Sequence, residues 1–133
     1  MYGQTIGIRA KSHSALVAQV KNGLPISAME RLSKTMDVPE RDLAHTMNIP
    51  LRTLSRRKQE GKFKSDESQR LWRLARLYER AIDVLGDTDS ANEWFRTRVK
   101  GLGYKTPLEY AETEPGAVEV ENMLGRIEDG LFY

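Results

Sequence analysis

Three features of this 133-residue chain predict an all-α fold. Apolar residues recur at spacings of three and four nearly throughout, no run alternates with period two, and capping and stopping residues bracket each periodic stretch. The first dozen residues carry little signal. Residues 13–21 are expected to form a short helix stopped by Asn22-Gly23. Ser27 is expected to cap the next, AMERLSKTM, whose Met29, Leu32 and Met36 share a face. A third helix covers about residues 40–47, with Leu43, Ala44 and Met47 inward. Pro50 opens a fourth, LRTLSRRKQ, which Gly61 ends.

The longest element starts at Ser65, where SDESQRLWRLARLYERAIDVLG has a capping serine, acids in its first turn and Gly86 as its stop. Leu71, Leu74, Tyr78, Ala81, Ile82 and Leu85 give it one apolar face, as a core helix joining two halves. A shorter helix at about residues 91–98 presents Trp94 and Phe95 to the core. TPLE at residues 106–109 is a capping box with Pro107 at the first helical position, where its missing N–H costs nothing. The last helix spans about residues 115–129. Its stripe of Ala117, Val120, Leu124 and Ile127 continues past Gly130 to Leu131.

The length and the apolar share of 39% suit one domain of ordinary size or two small ones sharing a core. With no cysteine, neither a disulfide nor a thiolate metal site can hold the fold, and a reducing cytoplasm is the expected setting. No stretch approaches the roughly 18 to 20 apolar residues that span a bilayer, and MYGQTIGIRAKSH lacks the apolar run of a signal peptide, so no membrane partner is expected. The net charge of +2 hides an asymmetry. Residues 1–64 hold twelve Lys or Arg against five Asp or Glu, and residues 65–133 hold nine against fourteen. A basic half suits a polyanion and an acidic half suits a basic protein surface, which places the expected domain boundary near residue 64. Uneven solvated faces are the simpler alternative.

The most specific local signal in the basic half is VPERDLAHTMNIPLRTLSRRKQEG. Two short helices joined by Met47-Asn48-Ile49 have helix-turn-helix dimensions over about residues 40–59. Ala44 is small where the helices cross, Asn48 tolerates a left-handed turn, and Leu54 packs the second helix back. Arg52, Thr53, Ser55, Arg56 and Lys58 then lie on or near its outward side, and Lys62 and Lys64 could add phosphate contacts. Arginine can bond guanine O6 and N7 as a pair, so operator DNA is the expected polyanion. A plain helical bundle with a wet basic face is the competing reading. Arg57 counts against the motif, because it stands where many such helices keep an apolar residue. Arg70, Arg73, Arg76 and Arg80 trace one side of the long helix and read more simply as a solvated row with Glu79 and Asp83 at pairing distance.

Enzymatic signals are scarce. His13 and His45 have no ligand-spaced partner and belong to no Ser/His/Asp pattern. GLGYK at residues 101–105 lacks the strand and spacing of a phosphate loop and reads as a turn. Neither a cofactor nor a metal is expected. The chain closes on LGRIEDGLFY. Leu131 can fold back on the helix that Gly130 ends, whereas Phe132 and Tyr133 either cover the core or form a plug able to enter a cavity on another protein.

Taken together, RTLSRRK, DESQRLWRLARLYERA, ANEWF and the ending TPLEYAETEPGAVEVENMLGRIEDG resemble the Xre/MbcA/ParS antitoxins of the RES-Xre toxin-antitoxin class. The resemblance runs from about Gly23 to Tyr133 and is strongest in T-P-L, T-x-x-G-A and V-x-x-x-L-x-R-I-x-x-G, in that order. It implies an autorepressing DNA-binding domain followed by a domain that neutralises a RES-domain, NAD+-consuming toxin by occluding its active site with the C-terminal end. Leu131, Phe132 and Tyr133 would then be the plug, and the acidic Glu119, Glu128 and Asp129 would suit a basic entrance. Arg126 falls on the R-I-x-x-G position, either touching the toxin or bracing the helix. Arg57 falls in the family's R-R pair, and is carried as a DNA-facing candidate on that ground. Arg98 stands where family members commonly have proline, so family contacts are not carried over to the loop at residues 98–104. A homodimer or larger assembly with toxin is expected. The alternative is a stand-alone transcriptional regulator whose C-terminal half only oligomerises.

Overall fold

A computed structural model of the chain describes residues 3–130. They form eight α-helices and no strand: α1 His13–Asn22, α2 Ile26–Met36, α3 Glu40–Thr46, α4 Leu51–Glu60, α5 Ser65–Leu85, α6 Thr88–Arg96, α7 Pro107–Tyr110 and α8 Glu114–Glu128. Two compact units divide within α5, the first ending at Arg76 and the second beginning at Leu77. The first three turns of α5 therefore pack with the N-terminal unit rather than starting the second one at residue 65.

In the first unit, Met29, Leu32, Met36, Leu43 and Leu71 are buried, each such side chain contributing roughly 1.5 to 3 kcal/mol. The first dozen residues join this core through Ile6, which ends a 3-10 turn at Gln4–Ile6, and through Ile8 just beyond it. Ser27 does not cap α2. Pro25 takes that position, and the Ile26 N–H donates to the Gly61 carbonyl at 3.1 Å. The chain around Pro25 pairs with the segment after α4: Phe63 N–H donates to the Leu24 carbonyl at 2.9 Å, and Leu24 N–H donates to Ser68 Oγ at 2.8 Å. A distant backbone thus satisfies donors that a capping serine would otherwise meet. Gly23 is required at this junction, because its φ is +101° and a Cβ would strike the Phe63 carbonyl.

The second unit is built on Tyr78, Phe95, Leu102, Val120 and Leu124, all fully buried. Phe95 packs against Tyr78 at 6.0 Å and edge-on against Trp94 at 5.3 Å between ring centroids. The Tyr78 hydroxyl donates to Asn92 Oδ1 at 2.6 Å, satisfying two polar groups inside an apolar layer. Helix α6 starts earlier than its apolar pattern indicates, because Asp87 accepts the Ser90 N–H at 2.7 Å and adds a turn. The TPLE capping box forms as expected, with Thr106 and Glu109 each accepting the other's backbone N–H. GLGYK is a turn closed by a bridge between Val99 and Lys105.

Candidate functional site

Helices α3 and α4 meet as a helix-turn-helix because each local choice agrees. Asn48 takes the left-handed conformation at φ 55°, and the Ile49 N–H returns to the Ala44 carbonyl at 2.8 Å. Ala44, Met47 and Ile49 are buried at the turn, and Leu54 anchors α4 from the other side. That burial fixes which face of α4 remains wet. Arg52, Ser55, Arg56 and Lys58 are exposed, and Thr53 is half-buried. Lys58 Nζ pairs with Glu40 Oε1 of α3 at 3.0 Å, while Arg52 and Arg56 enter no ion pair among the described residues. Two guanidiniums are therefore available to an anion without first giving up a partner.

Arg57 departs from the expected set. It is only 5% exposed, with its Nε donating to Glu67 Oε1 at 2.7 Å and its Nη1 to Glu60 Oε1 at 3.0 Å. Glu67 also accepts the Lys64 N–H at 2.9 Å, so one carboxylate caps the start of α5 and holds α4 to it. Burial alone would push the Glu67 carboxyl up, but the bonds from Arg57 and Lys64 outweigh it and hold the group below its ordinary value. Arginine replaces the apolar residue usual at this position because α5 supplies a buried acid to meet it. Its side chain is directed away from the wet face of the helix. Lys62 is likewise turned, donating to the Asn22 carbonyl at 3.2 Å. The arginine row of α5 is mostly engaged: Arg70 donates to the Met47 carbonyl at 2.6 Å and approaches Asp66, and Arg80 reaches α8.

In the second unit, the Thr113 side chain caps α8 by accepting the Gly116 N–H at 3.0 Å. A Cβ at Gly116 would strike the Tyr110 carbonyl, so the T-x-x-G-A segment is a tight turn whose glycine permits close approach. Along α8, Arg126 Nη2 donates to Glu119 Oε1 at 2.8 Å, bracing the helix from within. Glu128 receives both Nη groups of Arg80 at 2.9 and 2.7 Å, and this pairing holds its carboxyl below the usual range. Asp129 is exposed at the helix end. Leu131, Phe132 and Tyr133 lie outside the described residues. Val118 and Tyr104 are exposed apolar side chains of the same unit, and Tyr104 has a φ of 63°.

Among the described residues no group of three His, Cys, Asp or Glu side chains is placed to hold a metal ion, and no helix is long and apolar enough to cross a membrane. Sequence reasoning did not single out Leu51, at the start of α4 and 60% exposed, or the Arg57–Glu67 pair. Helical spacing gives no signal for the first, since a leucine three residues before the inward Leu54 reads as part of the same buried stripe, and the second depends on tertiary placement.

Residues 15–76 match a family model described as the antitoxin Xre-like helix-turn-helix domain, and residues 80–130 one described as the antitoxin Xre/MbcA/ParS C-terminal toxin-binding domain. The chain is 37% identical over 130 residues to an antitoxin Xre of Photorhabdus laumondii subsp. laumondii, covering 96% of this chain and 88% of that one. An antitoxin Xre of Yersinia enterocolitica is 35% identical over 129 residues, covering 96% and 87%. A third, from Pseudomonas putida, is 36% identical over 83 residues, covering 62% and 52%. With a helix-turn-helix unit followed by a toxin-binding unit, and relatives of this kind over nearly its whole length, the chain belongs to the Xre family of antitoxins, regulators that act by binding and not by catalysis.

Proposed function

We propose that this antitoxin neutralises a RES-domain, NAD+-consuming toxin by occluding its active site with the C-terminal end, and that it represses its own operon through α3 and α4. The observation that carries the toxin reading is the ordered block T-P-L, T-x-x-G-A and R-I-x-x-G, which resembles the RES-Xre class and ends in Leu131, Phe132 and Tyr133. Large apolar side chains of this kind suit insertion into a cavity on another protein. Asp129 lies at the exposed end of α8, leading into that group, and Glu128 and Glu119 bring further negative charge to the same helix. Because Glu128 and Glu119 are already paired within the unit, their part is to set the field and hold α8, leaving Asp129 the carboxylate most open to a basic entrance.

The operator reading rests on the wet face of α4, with Arg52, Ser55 and Arg56 set by the burial of Leu54. Operators read by such motifs are commonly palindromic, which favours a homodimer or a larger assembly with toxin in the cytoplasm. The test is cellular NAD+ on co-expression of the neighbouring reading frame with the full chain or with a chain ending at Gly130. Preservation of NAD+ by the full chain alone, with DNA binding intact in both, assigns occlusion to the last three residues. Preservation by both moves neutralisation to the helical surface. A neighbour that never depletes NAD+ removes the RES assignment and favours a stand-alone regulator.

A further inference from the structure

Leu51 is 60% exposed at the first residue of α4, although the helix already has its inward anchor in Leu54. A single exposed leucine is ordinary on a protein surface. This one is placed where the second helix of a helix-turn-helix enters the major groove, since the N-terminal residues of that helix contact base edges. Its neighbours on the wet side are Arg52, Ser55 and Arg56, and Ser55 lies one turn on along the same face. Arginine and serine there suit phosphate and the polar edges of bases. An aliphatic side chain among them has one apolar counterpart in the groove, the C5-methyl group of thymine. We infer that Leu51 is a specificity-determining residue of this antitoxin, packing on a thymine methyl in each operator half-site. The inference rests on the operator-binding reading and adds to it a base and the atom on that base that is read. Leucine adds nothing at this site that the fold needs, since lysine or glutamate would sustain the helix nearly as well and keep the face wet.

The experiment uses the full chain and a duplex that it selects from a random-sequence pool. Each thymine of that duplex is then replaced, one at a time, by deoxyuridine, which removes the methyl group and keeps every hydrogen bond of the pair. At one thymine per half-site the substitution should weaken binding about fourfold, the loss expected for one buried methyl. Leu51→Ala, with helical content checked by circular dichroism, should bind the parent duplex more weakly and be indifferent to deoxyuridine at that same position. Methyl sensitivity that is absent everywhere, or that survives in Leu51→Ala, overturns the inference while leaving operator binding standing. Loss of self-association in Leu51→Ala with methyl sensitivity intact assigns the residue to a protein contact and equally overturns it. Failure to select any duplex removes the operator reading itself.

Discussion

Arg57 of α4 donates its Nε to Glu67 of α5 at 2.7 Å, with both side chains almost wholly withdrawn from water. The pair ties the helix that carries the proposed base-reading residues to the longest helix of the chain, and it is the reason an arginine can occupy an inward position. A buried pair of this kind need add little net stability, but breaking it by removing one partner strands a charge.

Glu67→Gln is therefore expected to lower stability by about 3 kcal/mol, near the low end for such losses because Glu60 still meets Arg57. Denaturant unfolding measures it. Arg57→Met with Glu67→Met together should cost less than Glu67→Gln, because no buried charge is left unpaired and the losses are the cap on the Lys64 N–H and a contact of the half-exposed Glu60.

The pH dependence follows from the same carboxylate. Glu67 is held below its ordinary value in the folded chain, as are Asp87, Glu109 and Glu128 through bonds from Ser90, Thr106 and Arg80. Between the folded and unfolded values the unfolded chain binds more protons, so stability falls as pH falls. It should be complete above roughly pH 5 and decline progressively below the ordinary carboxylate value of about 4.3. Unfolding midpoints across that range check this, and the Met/Met variant should lose part of the decline.

Two glycines of α8 should respond oppositely to alanine. At Gly116 the new Cβ meets the Tyr110 carbonyl, a backbone atom that cannot rotate away, so Gly116→Ala should cost about 3 kcal/mol. At Gly125 nothing lies within reach of a Cβ in a helix interior, and Gly125→Ala should stabilise by about 0.5 to 1 kcal/mol. Thermal unfolding separates the two.

Removing the Tyr78 hydroxyl leaves Asn92 Oδ1 without that donor inside the second unit, so Tyr78→Phe should cost about 1 to 2 kcal/mol. Burial, with Asp89 nearby, pushes the Tyr78 phenol up to about 12. The unfolded chain ionises first, near pH 10, so stability should fall as pH rises from there toward 12. Unfolding midpoints of wild type and Tyr78→Phe on the alkaline side test both statements.

On DNA, Arg52→Ala and Arg56→Ala should each flatten the dependence of log affinity on log salt, by about 1 for each phosphate that is no longer neutralised. Lys58→Ala should do less, because its ammonium already faces Glu40. Arg57→Ala should change stability and leave the salt slope nearly unaltered. Titrations at several salt concentrations rank the four.

Where structure follows from neighbours in the chain, the sequence is readable. Ala44, Asn48 and Leu54 announce the helix-turn-helix through size, turn tolerance and spacing, and each occupies the expected place. Thr106, Pro107 and Glu109 announce a capping box in the same local way. The departures come from partners distant along the chain. Ser27 resembles a cap because nothing local shows that the Gly61 carbonyl would receive the Ile26 N–H. Arg57 stands at a position where such helices keep an apolar residue, and nothing local shows that the acid admitting it to the interior stands on the next helix. Ser68 belongs to a recognisable pattern, yet nothing in that pattern shows its hydroxyl holding Leu24 across forty-four positions. In the candidate site, Arg52, Ser55, Arg56 and Lys58 follow from helical period, whereas the availability of Lys58 depends on Glu40 of the preceding helix.

The division between the two units falls inside α5, between Arg76 and Leu77, where the chain is continuous helix. Proteases cut extended segments, and helical backbone must melt before it can be threaded into an active site. This boundary consequently offers no easy cleavage point at which a DNA-binding fragment could be released intact. A cell that degrades the protein by opening α5 would lose the helix-turn-helix unit and the toxin-binding unit on a single clock.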